Sequence, residues 1–217
     1  MNDLSNRFYI AEMQTCEVKE VANLLTDAFE TNPAYSLIFH KNDLREGLLW
    51  LFRTNLVLLN RRQRLTRVVK EKKSGDIVGT FTLLPPEGVK RTLGDYLRVN
   101  LFEFIYRFGF YALYRMVGLD GCNKTILHEA MKSTKYYYLS MVVVNAAYRG
   151  KGLGSFAVGS CLDELRTTEN QCHLLGLTTQ LQENVSFYSR LGFEVINEGK
   201  VVFGKNRYYN WNMKCTI

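Results

Sequence analysis

The amino-acid sequence reads as an α/β protein, and three features carry that reading. Residues 139–144 are an apolar, β-branched run too short to stand as a helix, and from Ser155 onward Phe156, Val158, Cys161, Leu162 and Leu165 recur at helical spacing. Upstream, 65–70 and 77–84 are strand-like runs joined by Lys73, Ser74, Gly75 and Asp76, a good hairpin signal. Downstream, strand and helix patterns go on alternating to the end of the chain.

Taken in order, 8–13 reads as the first strand. Val18, Val21, Ala22, Leu24, Leu25, Ala28 and Phe29 form one apolar stripe, so 17–31 is an amphipathic helix. Asn32 and Pro33 end it. A short aromatic segment over 34–40 includes Tyr35 and Phe39. Leu44, Leu48, Leu51, Phe52, Leu56 and Leu59 mark a second helix over 43–60, and Pro85 and Pro86 close the hairpin that follows. Residues 87–135 then carry helically spaced Leu93, Leu97, Leu101, Phe104, Ile105 and Phe108, followed by Phe110, Leu113, Tyr114 and Val117, with a further helix over 120–132. So many aromatics must be covered by something. Packing on the open side of the domain is the first choice, and a contact in a homodimer is the second. The rest reads as a strand at 173–178, a helix at 181–191, a strand at 193–197 and a last strand at 208–213. Turns fall at 198–200 and 204–206, with 201–203 as a strand between them. At 217 residues, with no repeat and no low-complexity tract, one domain over 1–217 is expected, with 87–135 as a helical insertion.

The chemistry concentrates between the central strand and its helix, at Arg149, Gly150, Lys151, Gly152, Leu153, Gly154 and Ser155. Three glycines in five positions let backbone pass close to a ligand without Cβ interference. A helix starting here points unpaired N–H groups and the positive end of its dipole at that ligand. Arg149 and Lys151 add cationic side chains. The pattern is anion-binding, suited to a phosphate or pyrophosphate, although such a turn can also be a mere tight connection. A Walker-type loop needs Ser or Thr after Gly-Lys, and Gly152 follows Lys151. The dinucleotide pattern wants an acidic residue at the end of the next strand, where Thr178, Thr179 and Gln180 stand.

Arg149, Gly152 and Gly154 after an apolar strand resemble the acyl-CoA pyrophosphate loop of the GNAT N-acyltransferases. Asn184, Phe187, Tyr188, Leu191, Gly192 and Phe193 resemble that superfamily's second motif, and the two occur in the right order. The close resemblance covers roughly 136–199, with Ala146 and Ala147 standing where many members carry an acidic residue and a proline. The long helical region is similar to that of puromycin-acetyltransferase-like members. The resemblance implies a GNAT fold: a central mixed, twisted sheet splayed between its fourth and fifth strands, with helices on both faces. It implies acetyl-CoA as co-substrate, laid into the splay against the backbone of Val142 and Val144, with an N–H near Val142 polarising the thioester carbonyl. It implies Tyr188 as the acid that protonates the departing thiolate. Asn184 is expected either to bond the pantetheine arm or simply to cap its helix. Tyr35, Tyr138 and Ser140 are the candidates for the acceptor side, the last two sharing one face of the strand. No general base stands out; Glu103, His128 and Glu129 read as solvated helix residues.

Composition bounds the partners. The net charge of +7 suits an anionic ligand such as a CoA, and would also suit nucleic acid. The basic residues are scattered, and the densest group, Arg61, Arg62 and Arg64, lacks interleaved aromatics, so no nucleic acid is expected. Five cysteines, at 16, 122, 161, 172 and 215, are odd in number and form no CxxC, which reads as reduced, intracellular and metal-free. There is no apolar signal-peptide core and no apolar run long enough to span a bilayer, so a soluble, cytoplasmic enzyme is expected. The expected reaction is acetyl transfer to a primary amine, most simply on a small molecule. A CoA-binding regulatory module without catalysis is the alternative.

Overall fold

The computed structural model describes residues 2–61, 63–89, 92, 94–95, 99–167 and 172–217. The helices are α1 (Asn2–Arg7), α2 (Val18–Phe29), α3 (Leu44–Asn60), α4 (Leu101–Ala130), α5 (Leu153–Thr167) and α6 (Gln182–Ser189). The strands are β1 (Phe8–Glu12), β2 (Thr66–Glu71), β3 (Ile77–Leu84), β4 (Tyr137–Val144), β5 (Leu174–Thr179), β6 (Glu194–Phe203) and β7 (Asn206–Thr216). Short 3-10 turns lie at Thr15–Glu17, Tyr35–Leu37 and Ala146–Tyr148.

All seven strands join one mixed sheet in the order β1-β2-β3-β4-β5-β7-β6. Neighbours from β1 to β4 are antiparallel, as are β5, β7 and β6, and the one parallel junction is β4 with β5. Helices cover both faces, because the strands bury apolar side chains on both sides; β3 is buried along its first six residues. On one face α5 sets Ala157, Val158, Cys161, Leu162 and Leu165 against Leu139, Leu175 and Met213, joined by Val185 and Tyr188 of α6. On the other, Val21, Leu25, Leu48, Phe52 and Leu56 of α2 and α3 meet Val68 and Val143, and Phe104 and Leu119 of α4 pack in the same cluster.

Three elements depart from the sequence expectation. The 120–132 helix is continuous with the residues before it back to 110, and Gly109 (φ 82°, ψ 159°) is non-helical, so α4 is two helical segments joined at a kink. Leu93 and Leu97 of the same stripe lie outside the described residues. The expected turn at 198–200 is strand: Glu198, Gly199 and Lys200 pair with Trp211, Asn210 and Tyr209 of β7, so tertiary pairing overrides a turn-like local sequence. Finally, α4 packs its inner side on the sheet face, as expected, yet leaves a second row of aromatics on its outer side exposed. Among the described residues no helix is long and apolar enough to cross a membrane, and no group of His, Cys, Asp or Glu is arranged to hold a metal.

Candidate active site

The split in the sheet comes from how little of β4 and β5 pairs. Among the described residues only Tyr137 with Leu175 and Tyr138 with Gly176 are in register, and from Leu139 onward no described strand pairs with the β5-facing edge of β4. Unpaired backbone amides along that edge can take an added extended segment, which supplies the missing ladder. A bulge shapes the opening. On β3, Thr80 and Thr82 are two apart, while their partners Val143 and Ser140 are three apart, and Met141 sits at φ 51°. The extra residue reverses the side-chain alternation: Leu139, Val142 and Val144 belong to the α5 face, while Met141 and Val143 belong to the other. Strict alternation would have put Ser140, Val142 and Val144 on one side; the bulge turns the valines away from Ser140. Nothing in an all-apolar run marks this position.

At the open end of β4 the chain turns through the glycine loop. Asn145 accepts a hydrogen bond from the Ala147 N–H at 3.0 Å and starts the 3-10 turn. Gly150 (φ 73°) and Gly152 (φ 80°) take left-handed conformations that side chains disfavour, and α5 begins at Leu153, two residues earlier than its apolar stripe suggests. Gly154 is required for a different reason. A Cβ there would lie 3.1 Å from the Phe187 ring and 3.9 Å from Val144, so the loop, the end of β4 and α6 converge on that atom's position. The backbone N–H groups of Leu153, Gly154 and Ser155 are in the first turn, where no helical carbonyl can serve them. Leu153 is buried and anchors the turn, and Ser155 is exposed. Arg149 donates from Nε to the Val144 carbonyl at 3.2 Å, and Lys151 donates from Nζ to the Ala147 carbonyl at 2.9 Å over the Tyr148 ring. Both are exposed, and neither pairs with a carboxylate among the described residues. The donor set fits a pyrophosphate: two exposed cations with no carboxylate partner among the described residues, unsatisfied N–H groups and a backbone clear of Cβ atoms.

Tyr188 lies on α6, buried at 8% exposure, with its ring edge-on to Phe187 and Phe193. Its hydroxyl makes no hydrogen bond among the described residues, yet it is not sealed, since the one fully enclosed unpartnered side-chain atom among them is Arg115 Nε. Burial, with a smaller contribution from Tyr138, holds the phenol well above its ordinary pKa. Asn184, in the first turn of the same helix, is not the cap residue; that position belongs to Leu181. Its amide N–H donates to the Thr179 hydroxyl at 3.0 Å, which pins α6 to the end of β5.

Tyr35 belongs to the cluster on the other face of the sheet, and Tyr138, alternating with Tyr137 and Leu139 of the α5 face, points to that same side. Tyr35 packs on Phe29 and Phe52, and burial followed by the field of Tyr138 pushes its phenol far up. Burial likewise pushes Tyr138 up to about 12, the Thr178 hydroxyl acting against it and the Asp120 charge adding to it. Tyr138, once ionised, would raise both Tyr35 and Tyr188, so the three phenols are within electrostatic reach of one another. Ser140, half-buried, makes no side-chain hydrogen bond among the described residues. The sequence reading missed the chain of neutral amides beside them. Asn32 donates to Gln180 at 3.1 Å, Gln180 to Asn210 at 2.8 Å, and Asn212 to Asn197 at 3.1 Å, while the Asn32 carbonyl oxygen accepts from the Ala34 N–H. This chain ties the Tyr35 segment to the end of β5 beside Asn184. Its sequence signal is the pair of asparagines at alternate positions of the last strand, Asn210 and Asn212. A separate shallow hollow of about 320 Å³ at Ile10, Arg67, Ser160 and Glu164 lies on the β1–β2 side, away from the split.

A split parallel pair, an anion-binding loop at its mouth and an unpartnered phenol inside define a site for a long ligand with a phosphate-bearing end. The acetyltransferase (GNAT) family model matches residues 19–193. Among curated proteins none matches the chain. Solved structures share the fold at low identity. The histone acetyltransferase HPA2 and related acetyltransferase of Corynebacterium glutamicum has a TM-score of 0.59 at 16% identity, over 97% of each chain. The ribosomal-protein-alanine N-acetyltransferase of Brucella melitensis has 0.53 at 17%, over 96% of this chain and 99% of that one. The yncA protein of Salmonella typhimurium, solved with its cofactor acetyl-CoA, has 0.51 at 16%, over 96% and 93%. The chain belongs to the acetyltransferase (GNAT) family, and its activity is acyl-CoA-dependent N-acetyl transfer with acetyl-CoA as the donor.

Proposed function

We propose that this enzyme moves the acetyl group of acetyl-CoA to the primary amine of a small-molecule acceptor, with Tyr188 as the acid. The observation that carries the reading is Tyr188 itself, nearly buried between Phe187 and Phe193, with a hydroxyl that has no protein partner among the described residues. When bound, acetyl-CoA supplies an activated thioester. Arg149, Lys151 and the N–H groups of Gly150, Lys151, Gly152, Leu153, Gly154 and Ser155 hold its pyrophosphate. The backbone of Val142 and Val144 lines its arm, and the free carbonyl oxygen of Asn184 accepts from an arm amide. Tyr188 passes its phenolic proton to the leaving sulfur. Burial penalises a thiolate as it does a phenolate, so the two stay matched in basicity.

A small acceptor is supported by what α4 does to the acceptor side. Arg115 donates to the Leu37 carbonyl at 3.1 Å, Asn123 accepts from the Tyr208 hydroxyl at 2.7 Å, and Tyr114 packs on Phe203. The helix therefore bridges the Tyr35 turn and the β6–β7 hairpin, narrowing the approach to Tyr35, Tyr138 and Ser140 against a polypeptide. Among the described residues the one carboxylate whose charge acts on Tyr35 and Tyr138 is Asp120, which is exposed and paired with Lys124, so the amine loses its proton to water. Relatives of the fold are named for spermidine as well as for ribosomal-protein alanine, and the fold alone does not choose. We place the enzyme in the cytoplasm as a single domain over 1–217, with no nucleic-acid partner.

Thiol release from acetyl-CoA across a panel of small amines and short peptides tests the reading. Turnover of small amines is expected; turnover confined to peptides would reassign the acceptor. Acetyl-CoA binding by calorimetry with no turnover of any amine would leave a CoA-binding regulatory module.

A further inference from the structure

The outer side of α4 is the largest feature the chemistry leaves unused. Phe102 is 80% exposed, Tyr106 91%, Phe110 69%, Tyr111 58%, Tyr114 56% and Val117 62%. The inner side of the same helix buries Phe104, Ala112, Leu119 and Leu127. A helix apolar on both sides is one that is covered on both sides. The β6–β7 hairpin borders the face, as Phe203 lies 5.3 Å from the Tyr114 ring.

We infer that this face docks a second copy of the chain, α4 against α4 across a two-fold axis. Area is the first argument. Each aromatic carries about 150–250 Å² of surface, so five that are more than half exposed offer several hundred Å², close to the ~800 Å² per partner of a stable interface. Aromatic surface of this size marks an interaction site and has the composition of an interface centre.

Charge decides which partner. Arg107 is held by Glu46 at 2.6 Å and Glu103 at 3.8 Å, and Lys124 by Asp120 at 2.5 Å. Arg115 is turned inward onto the Leu37 carbonyl and stacked on Tyr111. The cations along α4 are thus all engaged, so the helix itself presents no unengaged Lys or Arg, although the whole chain carries +7. An anionic lipid surface or a nucleic acid needs free Lys and Arg beside the apolar face. Two copies that repel as wholes approach best through a face whose charges cancel locally. Pairing α4 with α4 also clamps the helix that bridges the acceptor side.

Sedimentation equilibrium of the full chain over micromolar concentrations is the test. The wild type is expected to dimerise, and Tyr106→Glu combined with Phe110→Glu to weaken the dimer by at least roughly 30-fold, the scale of losing an aromatic hot spot. Both positions are exposed, so circular dichroism and acetyl-CoA affinity should match wild type. Should that variant misfold, Phe102→Glu alone gives the same reading. A wild type that stays monomeric, or variants that dimerise as well as it does, overturns the inference. A monomeric wild type that sediments with phosphatidylserine vesicles while the variant does not would also overturn it and assign the face to lipid.

Discussion

Desolvation sets what Tyr188 can do. Its folded pKa is raised, so the phenol stays protonated well past pH 10 and presents a donor throughout the working range. Turnover should then rise with pH as the acceptor amine loses its proton, with no falling limb from Tyr188 below about pH 10; initial rates across pH at saturating substrates check this. Tyr188→Phe keeps the ring edge-on to Phe187 and Phe193 and removes only the donor. We expect kcat to fall on the order of 10²-fold with acetyl-CoA affinity little changed. A near-normal kcat in a folded variant would make water the proton source. The same burial has a stability consequence. Tyr35, Tyr138, Tyr188 and Tyr208 are all raised. Stability is therefore unaffected by them below the unfolded value near 10 and declines above it, as the unfolded chain ionises first. Each phenol can add up to about 1.4 kcal/mol per pH unit to that slope, and urea midpoints measured between neutral pH and pH 11 should bend downward from about pH 10.

The elements most legible in the sequence are those whose own periodicity is matched by burial. The α2 stripe buries Val18, Val21, Ala22 and Leu25, and the glycine loop sits between β4 and α5 where its pattern requires. Elements fixed by a neighbour were not legible. The β4 bulge depends on register against β3, the middle of β6 depends on β7, and the amide chain from Asn32 to Asn197 joins residues far apart in sequence. Composition likewise could not distinguish the inner row of α4 aromatics from the outer. Gly109 was unremarkable as a residue, yet its backbone angles lie where glycine alone is at ease. A Cβ there meets nothing within 4 Å, so any penalty is one of backbone alone. Gly109→Ala should destabilise by about 1–3 kcal/mol, read from denaturant midpoints at unchanged slope. An unaltered midpoint would mean that α4 relaxes its kink at no cost.

At the scale of the whole molecule, ligand and fold are coupled through the split sheet. Among the described residues the β5-facing edge of β4 lacks a strand partner beyond Tyr138, and the first turn of α5 carries unsatisfied N–H groups, so the ligand-free protein leaves bonding capacity open at its centre. A ligand that binds only the folded form stabilises it by RT ln(1 + [L]/Kd), about 2.7 kcal/mol at a hundredfold excess over Kd. For a chain of this length that corresponds to a rise in Tm of roughly 5–10 °C. Thermal unfolding with and without acetyl-CoA should show it, and the variants should divide by where they act. Tyr188→Phe should keep the whole shift, because the role proposed for the phenol is at the sulfur and not at the pyrophosphate. Gly152→Asp should lose the shift: it adds a charge beside the phosphates at a backbone angle side chains disfavour, with Leu4 only 3.3 Å from the new Cβ. Gly154→Asp should lose it too, and should also lower the ligand-free Tm by displacing Phe187. A folded Gly152→Asp protein that keeps the full acetyl-CoA shift would move the pyrophosphate away from this loop, while leaving the place of Tyr188 to be judged by its own kinetics.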